Sequence, residues 1–169
     1  LETGVNGLSG YPFMGSGGAL KIVTNTPVVK TIFGGNLTVP LITLDTCKNV
    51  MVDGSVNGQG KYLRFVNTHN SGSSTKNVYK IEDRNQHITL KNLVIESNAV
   101  GQKTEANILL MYENDHILIR DCEIKNAVGN PGTPGNTMVA GTYSASNNTR
   151  MRIIGNHVRN FSRSGIYLV

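Results

Sequence analysis

The sequence predicts an all-β chain wound as a right-handed, single-stranded parallel β-helix of about five coils, read as a fragment of a longer helix. Three observations carry this prediction. Four segments align without gaps: Cys47–Ser55 (CKNVMVDGS), Asn85–Leu93 (NQHITLKNL), Asn114–Cys122 (NDHILIRDC) and Asn148–Asn156 (NTRMRIIGN). Each alternates apolar and polar residues, the period of a strand, and none holds a 3.6-residue period for two turns. Between them the chain is rich in turn formers, including 19 glycines, as short elements joined by many turns require.

The elements follow in order. Residues 1–18 read as an irregular lead-in, and residues 19–169 as the coils of one domain. Ala19–Val23, Val28–Phe33 and Leu37–Val39 are short strands, punctuated by Thr26-Pro27 and Gly34-Gly35-Asn36. In the last three copies an apolar residue recurs seven positions after the first: Ile88 to Ile95, Ile117 to Ile124, Met151 to Val158. Two residues later stands Ser97, Asn126 or Asn160; in the first copy Asn57 takes the late apolar place. Upstream lie further alternating pairs, Leu41/Thr43, Tyr79/Ile81, Ile108/Leu110 and Thr142/Ser144. One coil is therefore a strand, a tight turn, a strand, a bend, a third strand and a loop.

Asn85, Asn114 and Asn148 share one turn position, where Asn is favoured because it tolerates the left-handed conformation and bonds its own backbone. Stacked in successive coils, their amides can form a hydrogen-bonded ladder. The repeat spacing of 38, 29 and 34 residues between Val50, Ile88, Ile117 and Met151 is absorbed by loops near 60–77, 98–106 and 127–141, as a solenoid permits. Gly165–Val169 reads as the strand before another Asn turn, so further coils or another chain are expected past Val169 to cover the open strand edges. The competing architecture is a twisted antiparallel sandwich.

Bulk properties narrow the function classes. The net charge of +5 and pI near 9.3 suit an anionic polysaccharide or other acidic surface. The cations are scattered rather than clustered, so nucleic acid is not expected. With no Trp, an aromatic-lined groove is not the dominant feature. No apolar run approaches the length of a membrane span, and no membrane insertion is expected. Cys47 and Cys122 have no metal-site spacing. They lie about two coils apart in different columns, roughly 10 Å or more, too far for a disulfide.

One stretch has the flavour of a known family. Ile42–Thr68 (ITLDTCKNVMVDGSVNGQGKYLRFVNT) resembles the entry coil of pectin-lyase-like right-handed β-helix proteins. Within that superfamily it is most similar to β-helix regions of large exported bacterial surface proteins, where Asp-Gly-Ser and Gly-x-Gly precede Leu-x-Phe-x-Asn-Thr. His87–Ser97 and Ile117–Asn126 are similar to generic rungs of the same fold. The resemblance implies an extracellular or cell-surface location on a bacterium. It implies little about activity, because the scaffold hosts lyases, hydrolases, epimerases and inert adhesins. Asp53-Gly54 with Gly58-Gln59-Gly60 looks like a polygalacturonase entry phrase, yet the Asn-Thr-Asp, Asp-Asp and Gly-His-Gly motifs are missing. A pectate-lyase Trp-x-Asp-His is replaced by Leu118–Asp121.

The repeat register also sorts the polar residues. Arg120 stands one coil from Lys91, with Asp121 beside it and Asp53 one coil further down. Like charges about 4.8 Å apart repel unless an anion bridges them or the side chains splay into solvent. Lys125 and Arg159 form a second basic pair, and Tyr112, with Tyr62 and Tyr143, could stack on sugar rings. The candidate ligand-binding set is Lys91, Arg120, Asp121, Lys125, Arg159 and Tyr112. His116 aligns with His87 and Asn49 in a column that reads as structural. Asp115, Asp121 and Glu123 are near in sequence, but alternation sends Asp121 and Glu123 to one side and the turn aims Asp115 elsewhere. Calcium is thus left open rather than indicated, and no other cofactor is implied. Two functions follow: a structural, adhesive or glycan-contacting surface module without a catalytic site in this segment, or part of a polysaccharide lyase acting on a uronate glycan. A lyase would need an acidifying cation and a Lys, Arg or Tyr base.

Overall fold

A computed structural model describes residues 7–9, 19–34, 39–68, 77–97, 106–126, 142–145, 147–160 and 165–168. These residues hold strands and turns and no helix. Every strand pairing between them is parallel, in three sheets. Sheet A stacks β1 (Gly7–Ser9), β4 (Ile42–Asp45), β7 (Tyr79–Glu82), β10 (Ile108–Met111), β13 (Thr142–Ala145) and β16 (Ile166–Leu168). Sheet B stacks β2 (Leu20–Val23), β5 (Lys48–Asp53), β8 (Gln86–Lys91), β11 (Asp115–Arg120) and β14 (Arg152–Ile154). Sheet C stacks β3 (Lys30–Gly34), β6 (Leu63–Asn67), β9 (Leu93–Ser97), β12 (Glu123–Asn126) and β15 (His157–Arg159). Every third strand returns to the same sheet, so the chain is a parallel β-solenoid.

The interior explains why these parallel strands alternate instead of being apolar throughout. Parallel sheets covered on both faces read as continuous apolar runs, whereas here one face meets solvent, and β7 and β8 alternate buried with half-buried residues. The inward residues stack in columns: Val50–Ile88, Ile88–Ile117, Val52–Leu90–Ile119–Ile153, Leu44–Ile81–Leu110 and Phe65–Ile95–Ile124–Val158. Each fully buried aliphatic side chain contributes roughly 1.5–3 kcal/mol, and Phe65 adds an edge-on contact with Tyr79, centroids 5.2 Å apart. The buried core runs from Leu41 to Ile124, within the coils β4–β6, β7–β9 and β10–β12, while Leu20, Ile22, Ile32, Met151 and Val158 pack against it only partly buried. Three closed coils carry the packing, fewer than the five expected, because the outer strands have a covered neighbour on one side only.

The corners are built from residues in the left-handed conformation, but not from the ladder asparagines as expected. Two residues ahead of Asn85 and of Asn114 turn the chain: Asp83 (φ 62°) and Arg84 (59°), then Tyr112 (61°) and Glu113 (59°). The position two after it is left-handed as well, in Asn49, His87, His116 and Arg150. Asn85 and Asn114 are retained for their side chains.

Several expected boundaries change. The first inward pair of sheet A is Ile42/Leu44, in register with Tyr79/Ile81, and not Leu41/Thr43. The corner before Cys47 has a single left-handed residue, Thr46 (φ 54°), where the later coils have two, so a gapless alignment slips by one. Asn57 does not hold the late apolar place; Phe65 does, in register with Ile95. The intervening residues form a hairpin loop in which Val56 pairs antiparallel with Gln59 around Asn57 (φ 51°) and Gly58 (φ 77°), the signs a type I′ turn requires. The stretch 60–77 is not all loop, since β6 lies inside it, and β1 lies inside the supposed irregular lead-in 1–18. Val39 sits in a bend, and the rest of the strand expected at 37–39 is outside the described residues. So are the expected loops at 98–106 and 127–141, except for buried Ala106.

Candidate functional site

The corner between sheets A and B is tied by a side-chain ladder. Asn85 Nδ2 donates to Asn114 Oδ1 and Asn114 Nδ2 to Asn148 Oδ1, both at 2.8 Å. Each Oδ1 also accepts the backbone N–H of the preceding rung: Cys47 to Asn85 at 2.8 Å, Asn85 to Asn114 at 3.1 Å and Asn114 to Asn148 at 2.9 Å. Asn85 and Asn114 are fully buried, so these bonds satisfy groups that water cannot reach. The corner between sheets B and C repeats the device once, with Cys122 N–H donating to Asn156 Oδ1 at 2.9 Å. Both cysteines therefore occupy ladder columns as small buried residues. Neither is in a disulfide; burial raises the Cys47 pKa and pushes that of Cys122 up to about 12.

The Asp53-Gly54-Ser55 phrase is structural. Asp53 Oδ1 accepts from Ser55 N–H (2.9 Å), the Ser55 hydroxyl (2.7 Å) and Asn92 Nδ2 (3.0 Å), and Oδ2 meets Lys91 Nζ at 3.0 Å. Burial opposes the charge on Asp53, but the bonds from Asn92, Ser55 and Lys91 outweigh it and hold the pKa at about 2. Gly54 passes against the next coil, where a Cβ would sit 2.1 Å from the Asn92 carbonyl oxygen.

The basic columns are in the expected register: Lys91 beside Arg120, and Lys125 beside Arg159. The repulsion expected between them is answered from within the protein. Lys91 is held by Asp53, and Arg120 Nε donates to Asp121 Oδ2 at 2.7 Å. On sheet C, Arg64 grips Glu96 through two 2.9 Å bonds, Lys125 bridges Glu96 (3.5 Å) and Glu123 (3.1 Å), and Arg159 Nε donates to Glu123 at 3.0 Å. Burial works against the Glu123 charge, but Arg159 and Lys125 prevail and hold its carboxyl below the usual range. An anion is thus not needed to hold either column together.

What remains for a ligand is the outer face of sheet B. Arg120 is half exposed, with only its Nε engaged by Asp121. Arg152 is exposed and has no carboxylate partner among the described residues. It lies in register with Leu118, diagonal to Arg120, about 8 Å away by strand geometry. Lys91, Arg120 and Arg152 form a basic triangle, with half-buried Leu118 and exposed Ile154 flanking its Arg120–Arg152 side. Arg152, Leu118 and Ile154 were not singled out from the sequence, although the outward alternation of the third and fourth repeats contains the signal. Tyr112 is not part of this face. It is exposed in the corner before β11, and the six residues of β11, roughly 17 Å of strand, separate it from the Arg120 end. Tyr62 lies over Gly60. Among the described residues no group of three or more His, Cys, Asp or Glu converges as a metal site, and no helix is long and apolar enough to cross a membrane. The chain matches no known family model, no curated protein and no solved structure.

Proposed function

We propose that this β-solenoid is a structural module of an exported surface protein that contacts an acidic polysaccharide through the outer face of sheet B, without cleaving it. The observation that carries this reading is the triangle of Lys91, Arg120 and Arg152, with Leu118 and Ile154 flanking its Arg120–Arg152 side. An acidic sugar offers carboxylates to the cations and an apolar ring face to Leu118 and Ile154. A flat face that repeats at coil spacing suits an extended polymer better than a small molecule. The surrounding side chains support contact rather than chemistry, because the carboxylates of this face, Asp53 and Asp121, are engaged with Lys91 and Arg120.

The test is affinity electrophoresis through gels containing polygalacturonate, alginate or, as a neutral control, dextran. Retardation by an acidic polymer, weakened roughly tenfold in Arg120→Ser/Arg152→Ser, is the expected result; exposed charge pairs contribute about 0.2–1 kcal/mol each. The double variant should melt as the parent does. Equal retardation of both proteins would end the proposal. Release of an unsaturated product absorbing in the ultraviolet would replace it with a lyase.

A further inference from the structure

Away from the basic triangle, the corner between sheets A and B carries a different cluster. His87 and His116 occupy the same position in adjacent coils, with φ of 57° and 54°. Their rings are stacked, centroids 4.5 Å apart and planes inclined by 25°, and both side chains are exposed. His116 Nδ1 lies 2.8 Å from Asp115 Oδ2. Asp115 is held ionised by the Arg150 guanidinium and the Thr149 hydroxyl, and an ionised carboxylate can only accept. The proton of the neutral His116 ring is therefore on Nδ1, and the lone pair is on Nε2.

We propose that His87 and His116 together bind a borderline divalent cation such as Cu²⁺, Ni²⁺ or Zn²⁺ on this corner, with water completing its coordination. Imidazole is the ligand these ions favour. A carboxylate on the opposite ring nitrogen, as Asp115 is on His116, orients a ligating His and raises its basicity. Metal–nitrogen bonds of about 2.0–2.1 Å at a tetrahedral angle place the two nitrogens about 3.3 Å apart with their lone pairs converging, so the stacked rings must splay open toward the metal. His87 is exposed and can supply this by side-chain rotation, while Asp115 holds His116, without moving the strands. Arg150, the next residue in the column, does not oppose the cation with a free charge, because its guanidinium is bonded to Asp115.

Calorimetric titration of the protein with CuCl₂, NiCl₂ and ZnCl₂ tests the proposal, with circular dichroism confirming that each variant folds. One equivalent should bind, Cu²⁺ most tightly. His87→Gln and His116→Gln should each weaken binding by at least about tenfold through loss of one imidazole, and Asp115→Asn by about tenfold through loss of orientation. The Cu²⁺ electron paramagnetic resonance spectrum should report two imidazole nitrogens. Binding unchanged in either His variant, or removed instead by His157→Gln, would overturn the proposal. A spectrum showing a single imidazole would do the same.

Discussion

Replacing Asn114 by Ala removes the middle rung of the ladder and probes how far side-chain bonds, rather than apolar columns, fix the corner. Asn114 donates to the carbonyls of Ile81 (3.1 Å) and Met111 (2.8 Å) and to Asn148 Oδ1, and accepts from both the backbone and the side chain of Asn85. Truncation leaves the Asn85 N–H without its carboxamide acceptor in a fully buried setting, a loss of about 1–3 kcal/mol. The four remaining bonds, at a net of about 0.5–1 kcal/mol each, bring the expected destabilisation to roughly 3–7 kcal/mol. Asn148→Ala, in a half-buried rung that solvent can reach, should cost about half as much. Urea unfolding followed by far-ultraviolet circular dichroism reads both. With a slope of about 2–3 kcal/mol per molar, the Asn114 variant should unfold at least about 1 M earlier. A shift below 0.3 M (about 0.6–0.9 kcal/mol at that slope), or equal shifts for the two variants, would refute the reasoning and assign the corner to apolar packing alone.

Gly54→Ala should be severely destabilising, by about 3 kcal/mol or more, because the new Cβ meets a backbone oxygen at 2.1 Å that cannot give way. Gly58→Ala meets nothing within 4 Å and should cost only the left-handed penalty of about 1–2 kcal/mol; thermal melts of the pair that coincide would contradict this. Acid should weaken the solenoid through Asp53. Its folded pKa of about 2 lies below the ordinary value of 3.8, so its contribution is complete above pH 3.8 and is lost as pH falls toward 2. Allowing for solvent screening, that contribution is about 1–2 kcal/mol, and Asp53→Asn should flatten the stability profile between pH 4 and 2.

The fold was legible because a solenoid writes its register into the chain as a repeat. The alignment of Ile88, Ile117 and their partners depends only on strand alternation, and sheet B has that register. Errors arose where backbone conformation, not side-chain pattern, sets the count. Nothing local distinguishes a corner with one left-handed residue, Thr46, from a corner with two, Asp83 and Arg84, so a gapless alignment points to Leu41/Thr43 where the sheet pairs Ile42/Leu44. The Asn57-Gly58 hairpin hid β6 in the same way, by inserting residues that belong to no sheet. At the candidate site, the columns of cations could be read from spacing. Their pairing with Asp53, Glu96 and Glu123 could not, since it depends on the rotamers of long side chains reaching across coils. Arg152 is silent in the sequence for a simpler reason: its register neighbour Leu118 is apolar, so the column holds no like-charge conflict to mark it.

The ladder also has a direction. Each Asn oxygen accepts the backbone N–H of the coil before it, so the N–H at a corner is capped by the segment that follows it in the chain. Loss of one ladder asparagine therefore uncaps the coil on its N-terminal side, as Asn114 caps Asn85, and leaves its own backbone N–H capped by the coil that follows, as Asn148 caps Asn114.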